Sequence, residues 1–189
     1  MRDPERTKES ILCAAHRVIA EKGMSAMTLE EVACAAAISK GGLLHHFSSK
    51  QDLIVGITKH MLAEFAEEVE EFRRQDPAEP GAFTRALLRA NLSSDPESSK
   101  VCLAFMTEAR TFPASLELVR EHAEDWQRRI DNDGLDPVVA SIVRYAAEGL
   151  MFTEMWGVPL PSNFDAIVRR LLQLAGAKDQ PLVHSAPKE

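Results

Sequence analysis

The chain has 189 residues, 45% of them apolar and 6% aromatic, with a formal net charge of −7. This length and apolar content suffice for a buried core and exclude wholesale disorder. The negative total excludes a generally basic protein that coats nucleic acid.

Charge is placed unevenly: up to His60 there are 8 basic and 7 acidic residues, and beyond it 14 and 22. Four of the six histidines (His16, His45, His46 and His60) also lie in that first part. A near-neutral segment beside an acidic one predicts two parts with different partners. The three cysteines, Cys13, Cys34 and Cys102, are odd in number and form no C-x-x-C pair, which argues against a disulfide framework or a zinc knuckle. The opening MRDPERTKES lacks the apolar stretch of a signal peptide, and no apolar run approaches the roughly 18 residues of a membrane span. The expectation is a cytoplasmic, reduced protein with no membrane partner.

Helix signals follow one another along the chain. Asp3-Pro4 is an N-cap followed by Pro at N1; Ile11, Ala15 and Ile19 then repeat at helical spacing until Gly23. Thr28 and Glu31 form a T-x-x-E capping box before Leu29, Val32 and Ala33. Ser39 caps a third helix, and Ser49 with Asp52 makes a weaker box before a helix over 50–75 whose apolar face carries Leu53, Ile57, Met61, Phe65, Val69 and Phe72. Further helices are predicted at about 81–93, 96–112, 114–130, 137–156 and 163–176, separated by segments rich in Pro, Gly, Asp and Ser. The remainder, KDQPLVHSAPKE, has no periodicity and reads as a flexible tail over 177–189. The fold class is all-α.

The first three helices form a tri-helical unit with a minimal core of Ile11, Ala15, Ile19, Leu29, Val32, Ile38, Leu43 and Phe47. The third helix is left with an outward face of Lys40, Gly42 and His45 and the Gly41 backbone. A short helix with such a face fits a major groove about 12 Å wide, its first residues reaching base edges. Glycines permit close backbone approach, and Thr28, Ser39 and Lys50, each at a helix start, can hold phosphates.

These residues carry a family resemblance. ILCAAHRVIAEKG followed by TLEEVACAAAISKGGLLHHFSSKQDLI resembles the N-terminal domain of TetR-family transcriptional regulators over residues 8–57. The shared features are the paired alanines before a glycine, T-x-x-x-[IV]-A, the [IV]-S turn, L-x-x-H-F and S-K-x-x-L. The resemblance implies a helix-turn-helix DNA-binding domain over 1–48 and a helical-bundle ligand-binding and dimerisation domain over 49–176. By position it implies phosphate contacts at Thr28, His46 and Lys50, and groove-facing residues Ser39, Lys40, Gly41, Gly42 and His45. Three positions depart from the family. Ala37 stands where a turn glycine is usual, Gly42 replaces a common Thr, and Leu44 replaces a common Tyr whose hydroxyl meets a phosphate. An alanine forced into a left-handed conformation at 37 would cost on the order of 1 kcal/mol.

Adjacent His45 and His46 point about 100° apart on a helix and lack H-E-x-x-H spacing, so no metal and no other cofactor is expected there; His46 also reads as a packing residue. The cysteines read as small fillers in or near a core, with a redox pair of Cys13 and Cys34 as the sharper alternative. In the second part, Met61, Phe65, Phe105, Met106, Trp126, Tyr145, Phe152 and Met155 are candidates for lining an effector cavity, although such stripes serve more often as core. Glu108 and Glu154 interrupt apolar runs and read either as cation anchors or as solvated. Val138, Val139, Ile142, Val143, Ala146 and Leu150 on one helix, with Phe164, Ile167, Val168, Leu171 and Leu172 on the next, offer more apolar surface than one neighbour covers. They are the expected four-helix interface of a homodimer.

With no nucleophile–base arrangement or phosphate loop, an enzyme is not expected. The expected function is a ligand-responsive repressor that binds a double-stranded, palindromic operator as a homodimer and is released by a small apolar or amphipathic effector. The alternative is an all-α small-molecule-binding protein with weak or lost specific DNA binding.

Overall fold

The computed structural model describes residues 4–76, 80–93, 96–108 and 111–176; the Asp3 cap and the tail expected at 177–189 lie outside them. The described residues hold nine helices and no strand: α1 (Pro4–Lys22), α2 (Leu29–Ala35), α3 (Lys40–His46), α4 (Lys50–Gln75), α5 (Ala82–Asn91), α6 (Pro96–Glu108), α7 (Pro113–Asp131), α8 (Pro137–Met155) and α9 (Phe164–Leu174). The described part of the chain divides into two compact units, one drawn from Met1–Ala63 with Asp95–His122 and the other from Glu64–Ser94 with Ala123–Glu189.

In the first unit, one apolar cluster contains every residue of the tri-helical core foreseen from the sequence. Met24 and Met27, on the corner between α1 and α2, are 1% exposed and close this core from below. Phe47 ends α3 and packs inward. Its ring fills the space where a Cβ on Gly56 would lie, at 2.5 Å from Phe47 Cε1 and 3.4 Å from Leu12 Cδ2. A glycine in the middle of α4 is therefore a packing requirement that outweighs its poor helix propensity. α6 belongs to this unit and lies on α1, burying Val101 and Phe105 in the same cluster.

Cys13 and Cys34 are exposed, which corrects the expectation of core fillers: each follows a buried residue by only one or two positions and so turns outward on its helix. Cys102 is half-buried, and burial pushes its thiol above the usual range.

The second unit is organised around α5, whose residues from Ala82 to Leu88 are all buried. Gly81 at its N-cap has φ of 88° and offers no side-chain cap. The missing acceptor comes from Asp133, whose carboxylate receives the N–H groups of Phe83 at 3.1 Å and Thr84 at 2.8 Å. Arg85, with 1% exposure, is satisfied on every side. Its Nε donates to Asp76 Oδ2 at 2.8 Å, and its Nη1 donates to the carbonyls of Pro80 at 2.9 Å and Ala175 at 2.7 Å. One guanidinium thus ties together the end of α4, the start of α5 and the end of α9. Nearby, Arg129 lies 3.9 Å over the Phe83 ring and also donates to Glu70, which holds that carboxyl below the usual range.

Faces of α8 and α9 foreseen as a dimer interface are in part the unit's own core. Val143, Val168, Leu171 and Leu172 are buried together with Leu88 of α5, and Ala146, Leu150, Phe164 and Ile167 pack against them. The outward stripe of α8 is a different set: Val138, Ile142 and Tyr145 are 67%, 54% and 62% exposed, with Trp156 just beyond the helix at 62%.

Truncating the buried guanidinium leaves the buried Asp76 carboxylate with the longer Arg89 pair, at 3.4 Å, in place of its two-pronged Arg85 partner, so Arg85→Ala is expected to cost about 3 kcal/mol. Both tryptophans, Trp126 and Trp156, belong to this unit. Urea unfolding followed by tryptophan fluorescence reads the loss directly, and a midpoint unchanged from wild type would show that Arg85 is not its organising contact.

Candidate functional site

Helices α2 and α3 carry the candidate site, and their connection decides how α3 is presented. The α2 helix closes through paired bonds: Ala37 N–H donates to Cys34 O and Ile38 N–H to Ala33 O, each at 3.0 Å. This is the Schellman arrangement, in which the residue giving the shorter-range of the two bonds is left-handed. That residue is Ala37, with φ of 53°, the one non-glycine at positive φ among the described residues. The turn that a glycine usually makes is therefore made here by alanine, under strain.

The starts of α2, α3 and α4 carry the caps that the sequence suggested. The Thr28 hydroxyl accepts from Glu31 N–H at 3.3 Å and donates to Glu31 Oε2 at 2.9 Å, while Thr28 N–H donates back to that carboxylate at 3.1 Å. Hydrogen bonds from Lys22 and then from Thr28 hold the Glu31 carboxyl below the usual range. Ser39 Oγ accepts from Gly42 N–H, and Ser49 Oγ from Asp52 N–H, both at 3.0 Å. The reciprocal half of the Ser49–Asp52 box is absent, because the Asp52 carboxylate accepts from Ser48 instead.

The fold exposes Lys40, Gly41, Leu44 and His45 on one side of α3 and turns Leu43 and Phe47 inward. Gly42 is half-buried beside the Ser39 cap, where an added Cβ would meet Ser39 Oγ at 3.3 Å. His46 is half-buried and meets His45 edge-on, ring centroids 5.5 Å apart. Leu44, 38% exposed, is the member that the sequence reading set aside; its i+4 spacing from Lys40 was the available signal. Among the described residues no group of three His, Cys, Asp or Glu side chains could hold a metal ion.

Cations on and around this face are held by the protein itself. Lys40 pairs with Glu30 on α2, which keeps the Glu30 carboxyl below its usual range, and Lys22 pairs with Glu31. Lys50 Nζ donates to the Ser25 carbonyl at 2.7 Å. An ammonium has three N–H donors, so one such bond leaves Lys50 able to hold a further acceptor. Both members of the Lys40–Glu30 pair are exposed, where solvent screening makes an ion pair weak and easily exchanged.

The cavity candidates are distributed over both units. In the first, Phe105 is buried in the core, Met61 packs against it, and Met106 is exposed. In the second, Phe65 and Trp126 meet with centroids 4.9 Å apart, Phe152 and Met155 are half-buried, and Tyr145 is exposed beside Arg144. The structure brings Phe65 and Trp126 together in the second unit, while Met61 and Phe105 belong to the one large apolar cluster of the first. Glu154 is exposed, and Glu108 accepts a hydrogen bond from Ser25. Among the described residues no helix is long and apolar enough to cross a membrane.

Comparison with known proteins agrees with this geometry. The family described as bacterial regulatory proteins, tetR family, matches residues 11–57, and that described as tetracyclin repressor-like, C-terminal domain, matches residues 81–176. The HTH-type transcriptional regulator BetI of Paraburkholderia phytofirmans is 28% identical over 149 residues, covering 77% of this chain and 76% of that protein. The HTH-type transcriptional repressor BepR of Brucella suis is 41% identical over 51 residues, 27% of this chain and 24% of the repressor. A solved transcriptional regulator from Rhodococcus sp. shares the fold, with a TM-score of 0.72 at 22% identity over 92% of this chain and 99% of the other.

The strained turn gives a direct prediction. A left-handed alanine costs roughly 1–2 kcal/mol, and a glycine there loses about 0.5–1 kcal/mol of chain entropy on folding. Ala37→Gly should therefore stabilise the first unit by on the order of 0.5–1 kcal/mol, read as a raised melting temperature by circular dichroism. A lowered one would mean that the turn is relaxed in solution.

Proposed function

The chain belongs to the TetR family of bacterial regulatory proteins, and from that premise we propose that it is a repressor that binds a palindromic operator as a homodimer and is released by a small effector. It is a transcriptional regulator, not an enzyme. The observation that carries the DNA-binding reading is the α3 face, where Lys40, Gly41, Leu44 and His45 are exposed together and the helix behind them is fixed by Leu43 and Phe47.

In this reading α3 enters the major groove. Lys40 exchanges Glu30 for the DNA, His45 reaches base edges, and Gly41 lets the backbone approach. Leu44 cannot give the phosphate hydrogen bond of a tyrosine; its apolar end suits a thymine methyl instead. Lys50, with His46 and Ser39 as further donors, holds the backbone. Thr28 joins them only by redirecting the hydroxyl it now gives to Glu31. The DNA-reading part is residues 1–48, and 49–176 form the regulatory part; the protein acts in the cytoplasm, where the DNA is.

The dimer reading rests on α8. Val138, Ile142, Tyr145, Gly149, Phe152 and Trp156 recur at alternating steps of four and three, a seam at heptad spacing. A Cβ on Gly149 would meet nothing within 4 Å, so the seam is open along that stretch of this chain. A twofold pairing of such seams sets two α3 helices in successive major grooves roughly 34–36 Å apart, or a multiple of that. The effector is an apolar or amphipathic molecule held in the second unit by Phe65 and Trp126. It shifts the protein only through its different affinities for the DNA-competent and DNA-incompetent states.

Selection from a randomised duplex pool tests the repressor reading. Enriched sequences should be palindromic, and anisotropy should show them bound at least 10³-fold more tightly than scrambled duplex. Equal affinity for both would favour a ligand-binding protein without specific DNA recognition. Lys50→Ala should weaken every duplex and lower the salt slope by about 0.9, whereas His45→Ala should change which bases are preferred. For the seam, Ile142→Arg should convert a dimer into a monomer in sedimentation equilibrium; a dimer that persists unchanged places the interface elsewhere.

A further inference from the structure

Ser25, on the corner between α1 and α2, is held from two sides. Its hydroxyl donates to Glu108 Oε2 at the end of α6, and its carbonyl accepts the Lys50 ammonium at 2.7 Å. Just before it, Gly23 has φ of 83°, and a Cβ there would lie 3.4 Å from Glu108 Oε1, so the carboxylate sits directly against the turn that ends α1. Met24 and Met27, each 1% exposed, anchor the backbone on either side of the exposed Ser25.

The Glu108 contact is not needed to end α1, because Gly23 N–H already closes the helix on Ile19 O at 2.8 Å. Nor does α6 need it in order to pack, since Val101 and Phe105 already fix that helix in the core. What it adds is a tie between α6, which lies outside the tri-helical motif, and the carbonyl that orients Lys50. A lysine has a long, freely rotating stem, and an ammonium anchored at one acceptor is far better placed for a second.

We propose that Glu108 is a positioning residue for DNA binding: through Ser25 it fixes the carbonyl that aims Lys50, so that the phosphate clamp depends on where α6 lies. This inference rests on the reading of Lys50 as a phosphate contact.

The test uses the full chain with Glu108→Ala, Glu108→Gln and Ser25→Ala. Without DNA, amide hydrogen exchange over residues 24–28 should rise several-fold in Glu108→Ala and Ser25→Ala, with α3 amides and melting temperature unchanged. With the selected duplex, both should bind about three- to tenfold more weakly. The double variant should be no weaker than either single one, and Glu108→Gln, which keeps an acceptor, should stay near wild type. In a Lys50→Ala background, Glu108→Ala should have no further effect; a general structural role would still lower affinity there. Unchanged exchange at the corner, unchanged affinity in Glu108→Ala, or losses that persist in the Lys50→Ala background would each overturn the inference while the repressor reading stands. A wild-type protein that binds no duplex would instead sink the repressor reading itself, and the clamp with it.

Discussion

Seven residues make too few helical hydrogen bonds to stand alone in water, and α2 and α3 have seven each. Their existence depends on burial and on caps. Val32, Ala33 and Leu43 enter one apolar cluster, where a fully buried Val or Leu contributes roughly 1.5–3 kcal/mol, enough to offset poor nucleation. The capping box at Thr28, the serine cap at Ser39 and the Schellman turn at Ala37 supply partners for backbone groups that such short helices would leave exposed. The exposed side of α3 is thus free to carry Lys40, Gly41, Leu44 and His45, because the buried side and the caps hold the helix.

The same dependence explains features that have no local reason. Gly56 weakens α4 by itself, yet its missing side chain is where Phe47 fits, and Phe47 is what fixes the end of α3. Ala37 carries strain in a turn that cannot be relaxed without moving α3 on the core. Met24 and Met27 look like loop residues in the sequence and prove to be core, since the corner between α1 and α2 folds back over it.

The second unit meets its own constraint differently. Its central helix α5 is buried from Ala82 to Leu88, and its first turn and Arg85 are satisfied by Asp133 and the Ala175 carbonyl, far along the chain, together with Asp76 and the Pro80 carbonyl nearby. An arginine at this position of α5 reads in the sequence as a solvated side chain. Only the arrival of those acceptors makes burial possible, because an unpaired guanidinium there would be expelled.

Local signals in the sequence determined the helices, their starts at Thr28, Ser39 and Ser49, and the core of the tri-helical unit. They could do so because caps and 3.6-residue periodicity act within a few residues. Motif spacing also marked Lys40, Gly41 and His45 as an outward group, again a property of one helix. Tertiary structure alone decided the rest: that Ala37 adopts the left-handed turn, that Leu44 joins the exposed side of α3, and that α6 packs with α1. It also divided the apolar faces of α8 and α9, sending Val143 and Val168 into the core and leaving Val138, Ile142 and Tyr145 outside. The physical reason is shared by all of these. An apolar or charged side chain states what it needs, but which distant residue meets that need is fixed only when the chain has folded.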